Sequence, residues 1–229
     1  MPVIDLAETS RRDLNGLLHG LAPDTNQTHW RVENPAGQHA LAVGLDAPVT
    51  IEIAGHAGYY CAGMNQRATV IVEGNVGVGV GENMMSGTVH VRGDASQAAG
   101  ATAHGGLLVI DGNASARCGI SMKGVNIVVK GSIGPMSAFM AQSGALVVLG
   151  DAGDALGDSI YEARLYVRGQ VKSLGADCCE KPLRDEHKAE LRALLDAAGV
   201  DAGVRVEAFK RYGSARTLYN FHIDNVAAY

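Results

Sequence analysis

Pairs of aliphatic residues separated by one position recur every 19 residues through the middle of the chain. Because alternate residues of a strand point to the same side, each pair predicts a short strand with one buried face. A fixed period near 20 residues is typical of a solenoid, in which similar units stack on one another. The pairs are Ile51 and Ile53, Val70 and Val72, Val89 and Val91, Leu108 and Ile110, Ile127 and Val129, Leu146 and Val148, and Leu165 and Val167.

A glycine follows each pair, and a polar residue follows each glycine. The ladder glycines are Gly55, Gly74, Gly93, Gly112, Gly131, Gly150 and Gly169. The polar residues after them, which suit a sharp bend where a side chain bonds the backbone, are His56, Asn75, Asp94, Asn113, Ser132, Asp151 and Gln170. Each unit therefore reads as strand, corner, short strand, corner. The expected fold class is an all-β solenoid, a parallel β-helix of about seven 19-residue coils with flanking N- and C-terminal helices.

Charged residues just before four ladder glycines alternate in sign: Glu73, Arg92, Asp111 and Lys130. Equivalent residues of adjacent coils lie about 4.8 Å apart in a β-helix. Opposite charges are therefore expected to face each other from coil to coil, which would help to fix the register of the strands.

The non-repetitive ends divide the chain into three parts. Residues 1–46 are expected to form an N-terminal helix over 1–22 and a cap that buries Trp30. Residues 47–176 are expected to form the β-helix. The predicted N-terminal helix is capped by Ser10, and its apolar stripe consists of Leu14, Leu17, Leu18 and Leu21.

The third part, residues 177–229, is expected to hold a C-terminal helix and an aromatic tail. Pro182 precedes a helix over about 184–198, which Gly199 ends and which is expected to pack on the solenoid. Its apolar face consists of His187, Leu191, Leu194, Leu195 and Ala198. The tail contains Phe209, Tyr212, Tyr219, Phe221 and Tyr229, which need cover from the solenoid or from a partner.

Composition narrows the function classes. Glycine accounts for 30 of 229 residues and aromatic residues for 5%, which suits a thin solenoid. The net charge of −5 and the lack of a basic run argue against nucleic acid as a main partner. No apolar run of 18 residues occurs, so we expect no membrane association and a cytoplasmic location. The four cysteines do not make a disulfide scaffold, and Cys61 and Cys118 lie three coils apart, too far to bridge.

The run Gly77-Val78-Gly79-Val80-Gly81 is the first candidate for a binding loop. It lacks the third glycine of the dinucleotide fingerprint, because Glu82 stands there, and it lacks the Gly-Lys-Ser/Thr ending of a phosphate loop. Its glycines are in phase with glycines of other coils, since Gly77 is equivalent to Gly58 and Gly134. The run is therefore assigned to the architecture.

Three further candidates stay open at this point. Cys178 and Cys179 suit ordinary packing, with a redox or interface role as the alternative. His104 lies on a glycine-rich corner that would suit either structure or a substrate passage. The methionines that recur nine or ten residues after ladder glycines are expected to fill the core, with a pliable partner surface as the alternative; they are Met64, Met84, Met122 and Met140. No catalytic, cofactor-binding or metal residue is predicted in this chain.

The glycine-ladder coils, the run Gly77–Gly81 and the Gly-Asn/Gly-Asp corners resemble the GXGXG domain over residues 30–176. That resemblance implies a right-handed parallel β-helix, found at the end of the large subunit of bacterial glutamate synthase and as a separate subunit. The helix after Pro182 and the ending Tyr219–Asn225 resemble most the separate glutamate-synthase-like subunit of N-methylglutamate synthase.

The resemblance implies a hetero-oligomer of three chains for methylamine metabolism. One partner would be a glutamine amidotransferase-like subunit, and the other an FMN-binding glutamate-synthase-like subunit with an iron–sulfur cluster. This chain would carry no cofactor and no active site, and would hold the two partners together. The complex would convert glutamate and methylamine into N-methylglutamate and ammonia.

Two alternatives remain from the sequence. GXGXG subunits also occur in formylmethanofuran dehydrogenase and in the related formyltransferase/hydrolase complex, where the chain would serve C1 transfer. A β-helix enzyme acting on polysaccharide is the third possibility. Such enzymes present a cluster of carboxylates on one face, and no such cluster falls in phase here.

Overall fold

The computed structural model describes residues 1–216, so Tyr219, Phe221 and Tyr229 of the predicted aromatic tail lie outside the described residues. Nine of the described strands are parallel and adjacent in chain order: β1 (Val3–Asp5), β2 (His29–Glu33), β3 (Thr50–Ile53), β4 (Thr69–Val72), β5 (Thr88–Val91), β6 (Leu107–Ile110), β7 (Lys123–Val129), β8 (Ser143–Val148) and β9 (Arg164–Val167). Outside them lie α1 (Arg11–His19), β10 (Cys178–Lys181), α2 (Asp185–Ala197), a 3₁₀ turn (Val206–Ala208) and β11 (Lys210–Ser214). The last two strands extend the sheet antiparallel in the order β9-β11-β10.

The coils stack with the 19-residue offset that the sequence shows. Ile51 pairs with Val70, Val70 with Val89, and Val89 with Leu108. A second line of parallel bridges connects the short strand of each coil to the next, through Ala57, Val76, Ala95, Ala114, Ile133, Ala152 and Val171. The predicted parallel β-helix is confirmed.

The core is a column of aliphatic side chains inside the coils. All fourteen residues of the repeating pairs are at most 1% exposed. Burying one such side chain contributes about 1.5–3 kcal/mol before the entropy of ordering the chain is subtracted. A coil alone cannot bury these residues on both sides, so the coils are stable only as a stack.

The N-terminal segment differs from the prediction of one helix over residues 1–22. Residues Val3–Asp5 form β1, which pairs in parallel with Arg31–Glu33 of β2 and extends the sheet. Strand pairing favours this β-branched start over a helix. The helix begins after Ser10, whose Oγ accepts the N–H of Asp13 at 3.2 Å, as the predicted cap requires.

The apolar stripe of α1 is also narrower than predicted. Leu14 and Leu18 are buried and Leu21 is partly buried against the core, whereas Leu17 is exposed. Residues four apart on a helix share a face, so Leu14 and Leu18 meet the solenoid together and Leu17 does not. Trp30 is buried in this end region, as expected, and its Nε1 donates to the carbonyl of Gln27 at 2.9 Å.

The C-terminal helix packs on the outer face of the last coils, as predicted. Leu191, Leu195 and Phe209 are buried in a cluster with the outward-facing residues of β6 to β9, which are Val109, Val128, Val147 and Tyr166. The same positions of β3, β4 and β5 hold Glu52, Ile71 and His90, which are only partly buried. Within residues 1–216, no helix is long and apolar enough to cross a membrane.

Candidate interaction surface

From Gly74 to Gly169, the ladder glycines lie where successive coils touch backbone to backbone. A Cβ built on Gly74 would lie 2.7 Å from the carbonyl carbon of Gly55, and one on Gly131 would lie 2.6 Å from the carbonyl oxygen of Gly112. Real Cβ atoms do not approach the backbone so closely, so any side chain there would push the coils apart. These glycines are therefore required for the close stacking of the coils.

The polar residues after the ladder glycines form a continuous hydrogen-bonded column. Nδ1 of His56 accepts the N–H of Asn75 at 2.9 Å, and Oδ1 of Asn75 accepts the N–H of Asp94 at 2.9 Å. The pattern continues through Asn113, Ser132, Asp151 and Gln170 at 2.7–2.9 Å. From His56 to Asp151, each side chain satisfies a backbone donor of the next coil, so the column is a structural device.

The segment from four to eleven residues after each ladder glycine forms one edge of the solenoid, which we call the corner ridge. Its first coil is 59–66, where Tyr60, Ala62 and Met64 have positive φ angles of 59°, 52° and 57°. Positive φ recurs at the same three positions in the next coils: Gly79, Gly81 and Asn83; Ala98, Gly100 and Thr102; Arg117, Gly119 and Ser121; Met136, Ala138 and Met140; Ala155, Gly157 and Ser159.

Alternating backbone handedness lets the ridge bond to both neighbouring coils. The N–H groups of Tyr60 and Met64 donate to the following coil, each at 2.8 Å. The N–H of Ala62, between them, donates back to Leu41 at 2.9 Å. These bonds offset the strain of left-handed conformations in residues other than glycine.

The run Gly77–Gly81 is explained by this geometry. Gly79 and Gly81 occupy two positive-φ positions, with φ of 73° and 63°. A Cβ on Gly77 would lie 2.6 Å from the backbone of Gly58 in the preceding coil. The structure therefore gives all three glycines an architectural reason, in agreement with the prediction.

The corner ridge also collects exposed apolar side chains. In residues 1–216, six of the nine large exposed hydrophobic residues lie on it, namely Tyr59, Met64, Val78, Met85, Met140 and Leu174. The ring of Tyr59 contacts that of His39 with centroids 4.3 Å apart, and Val78 occupies the position equivalent to Tyr59 one coil later. Apolar side chains grouped on one edge are typical of a protein contact surface.

The methionines divide into two groups, which corrects the prediction that all four fill the core. Met84 and Met122 are fully buried, whereas Met64 and Met140 are about half exposed, at 50% and 44%. The buried pair stands ten residues after a ladder glycine and the exposed pair nine. A difference of one residue turns the side chain from the inside of the coil to the ridge.

A charged face covers the outside of the early strands. Asp111 accepts from His90 at 2.9 Å and lies 2.8 Å from Nζ of Lys130 and 3.3 Å from Arg92. Burial alone would raise the pKa of Asp111, but hydrogen bonds from Lys130 and His90 outweigh burial and lower it. The predicted contacts of Asp111 with Arg92 and Lys130 are thus present.

Glu73, the first of the alternating charges, contacts Arg31 instead of Arg92. Glu73 lies 3.6 Å from Arg31, and Arg31 also contacts Glu52 at 3.3 Å. The charges are therefore satisfied within networks that span several coils, rather than strictly from one coil to the next.

A second polar network fixes α2 to the solenoid. Nε and Nη2 of Arg164 donate to the two carboxylate oxygens of Glu190 at 2.7–3.0 Å, and the hydroxyl of Tyr166 donates to the same carboxylate. Burial would raise the pKa of Glu190, but the bonds from Arg164 and Tyr166 prevail and lower it. The sequence patterns did not predict this site. The sequence feature that could have indicated it is the presence of Arg164 and Tyr166 at outward positions of β9. The equivalent positions of β8 hold the apolar residues Ala145 and Val147.

The remaining candidates from the sequence stay apart from one another. The four cysteines are free thiols. Burial raises the pKa of Cys61, Cys118 and Cys178 to about 12, so they are poor nucleophiles. His104 is exposed on the corner ridge. In the part of the chain that the structure describes, no group of three or more His, Cys, Asp or Glu residues is placed to hold a metal ion.

The stacked coils, the buried ladders and the exposed ridge place the protein in the class of parallel β-helix solenoids. No protein-family model matches the chain. The chain is 65% identical over 229 residues to Protein GlxC of Rhizobium meliloti (strain 1021), and the match covers all of both chains. The chain therefore belongs to the family of Protein GlxC.

Proposed function

We propose that this chain is a scaffold subunit without an active site of its own, and that it serves a glutamate-synthase-like complex, most specifically N-methylglutamate synthase. Its role is to hold an amidotransferase-like subunit and an FMN- and iron–sulfur-containing subunit in a fixed relation. The complex joins methylamine to glutamate and releases ammonia. The observation that carries the scaffold role is the exposed apolar corner ridge on a stiff rod.

The mechanics of the fold support this proposal. Nine stacked parallel strands at about 4.8 Å spacing give a rod of roughly 40 Å. Hydrogen bonds connect each coil to both neighbours along the strands, the polar column and the ridge. Partners that bind at different coils would therefore keep a set distance. Tyr59 and Met140 mark apolar sites that lie four coils apart along the ridge.

The choice of complex rests on the resemblance of the glycine ladder and the Gly77–Gly81 run to GXGXG proteins. In the proposal, the chemistry and both cofactors belong to the partner chains. What this chain contributes is a surface, so its function is tested through its partners.

The test is a gentle purification of the tagged full-length protein from its native host, followed by identification of the chains that accompany it. The proposal predicts an amidotransferase-like chain and a flavin- and iron-containing chain in fixed stoichiometry. The assembly should form N-methylglutamate in a methylamine-dependent manner. A hydrolase-like and a formyltransferase chain would instead replace this proposal with C1 transfer.

A further inference from the structure

A cationic cavity lies at the C-terminal end of the solenoid, where β10 and β11 close the sheet. The cavity has a volume of about 260 Å³, and its walls include Arg164, Lys181, Arg211 and Gly213. Lys181 stands directly opposite Arg211 in the antiparallel register. Residues opposite each other on paired strands point to the same face, so these two cations share the cavity.

Two of the cations around the cavity already have carboxylate partners. Arg164 is paired with Glu190, and Arg216 is paired with Asp177. Lys181 and Arg211 form no ion pair within residues 1–216. Glu162 also lines the cavity, but it is exposed to solvent. Like charges directly opposite on two strands repel each other, so an anion held between Lys181 and Arg211 would stabilise the pair.

One donor atom of Arg211 also lacks a hydrogen-bond partner among the described residues. Its Nη1 donates to the carbonyl of Pro182 at 3.1 Å, while its Nε is buried without a hydrogen-bond partner among the described residues. Burial is the main cause that lowers the pKa of Arg211; the nearby charges of Arg164 and Arg184 lower it further, whereas Tyr166 and Glu186 act in the opposite direction. A guanidinium remains charged at neutral pH even so. A buried charged group with an unpaired donor is costly, and an oxyanion held beside the guanidinium would offset part of that cost.

Cations on the outer face of the earlier strands are arranged differently. Arg31 contacts Glu52, and both Arg92 and Lys130 contact Asp111. Each of these three outward-facing cations thus has a carboxylate partner on the same face. The uncompensated pair Lys181 and Arg211 departs from that rule.

We propose that this cavity binds a small oxyanion, a carboxylate or a phosphate group, between Lys181 and Arg211. Guanidinium and ammonium groups form charge-assisted hydrogen bonds with such oxygens. A volume of about 260 Å³ is sufficient for a phosphate ion or a small dicarboxylate. Gly213 lines the cavity, and a Cβ there would lie 3.7 Å from Cγ of Lys181, so a larger side chain can be introduced at this wall without a backbone clash. This site is independent of the proposed scaffold role.

The test is isothermal titration of the full-length protein with inorganic phosphate and, separately, with glutarate, at constant ionic strength set by chloride. At least one probe should bind the wild type, and the better probe distinguishes phosphate from carboxylate ligands. Arg211→Gln and Lys181→Gln should each raise the dissociation constant of that probe at least tenfold. Gly213→Leu should weaken binding by filling the cavity while leaving both charges in place.

Arg205→Gln is the matched control, because the Arg205 side chain is 80% exposed and lies 3.8 Å from Glu207, away from the residues that line the cavity. It should bind as the wild type does, and circular dichroism should show every variant folded. The proposal is overturned if neither probe binds the wild type beyond a chloride titration. It is equally overturned if Arg205→Gln weakens binding as much as Arg211→Gln or Lys181→Gln does.

Discussion

At the scale of single residues, the ladder glycines are positions where even a methyl group has no room. A Cβ on Gly112 would lie 2.3 Å from Oδ1 of Asp94 and 2.8 Å from the carbonyl oxygen of Gly93. The backbone oxygen cannot move without shifting the whole preceding coil. The glycine therefore permits the close stacking on which both the buried core and the polar column depend.

Gly112→Ala is expected to lower the free energy of unfolding by about 1–3 kcal/mol, because the coil must shift to admit the methyl group. Urea denaturation followed by circular dichroism measures this loss. Gly16→Ala is the control, since a Cβ at this helical position meets nothing within 4 Å. It should leave stability unchanged or raise it by up to about 1 kcal/mol. A Gly112→Ala protein as stable as the wild type would contradict the stacking role.

The cysteines give a second prediction at this scale. Cys61, Cys118 and Cys178 are buried and their thiol pKa values are raised to about 12, whereas Cys179 is partly exposed. A thiol reagent at pH 7.5 should modify one thiol per folded chain and all four after denaturation. Mass spectrometry counts the modified thiols. Rapid modification of Cys61 or Cys118 in the folded protein would show that the coils open readily.

The sequence predicts inward and outward residues well where the repeat is regular, and less well at the corners. The aliphatic pairs are all buried because strand alternation fixes their direction. The direction of the methionine side chains is not predicted in this way. It depends on the alternating positive φ angles of the ridge, which the sequence does not display directly. Met64 and Met84 differ by one position in phase and point to opposite sides of the coil.

At the scale of elements, α2 is held by an apolar face and by one carboxylate. Leu191 and Leu195 pack on the outer valines of the sheet, and Glu190 receives hydrogen bonds from Arg164 and Tyr166. The pKa of Glu190 lies below its usual value of 4.5. Its carboxylate therefore stabilises the folded state above that value, and this contribution is lost as the pH falls through the lowered pKa.

Glu190→Gln is expected to weaken the docking of α2 at neutral pH and to remove part of its acid sensitivity. Amide protection in residues 185–197, measured by hydrogen exchange, should fall roughly tenfold or more, because Arg164 loses its charged partner. Glu186→Gln is the control on the same helix, since Glu186 is 64% exposed. Equal effects of the two substitutions would contradict the anchoring role of Glu190.

Local signals predicted both helices and the strands of the repeat, but not every end element. The cap of α1 at Ser10 and the stop of α2 near Gly199 follow from side-chain and backbone chemistry that the sequence shows. Strand β1 cannot be predicted from such local signals, because it pairs with residues 31–33, almost 30 residues away in the chain. The network of Arg164, Tyr166 and Glu190 is equally non-local.

At the scale of the whole molecule, the coils combine a closed interior with one apolar edge. Tyr59 and Val78 stand on adjacent coils of the corner ridge, and both are about half exposed. Exposed apolar residues grouped in this way are costly to leave in water, so the proposed partner surface includes them. The covered outer face beneath α2 offers no such group.

Replacing the ridge residues should separate partner binding from folding. The double variant Tyr59→Asp/Val78→Asp is expected to reduce co-purification of at least one partner at least tenfold, because it places two charges in the contact. Its unfolding midpoint should stay near that of the wild type, since both side chains are exposed. Leu17→Asp, an exposed apolar position on α1, is the matched control and should leave the assembly intact.

The most direct measurement is native mass spectrometry of the tagged full-length protein purified gently from its host. We predict that the 23.8-kDa chain is found in a hetero-oligomer with two further polypeptides, one of them carrying flavin and iron. We also predict that Tyr59→Asp/Val78→Asp releases the chain as a folded protein. A wild-type chain that is found alone, stable and without partners would contradict the scaffold role.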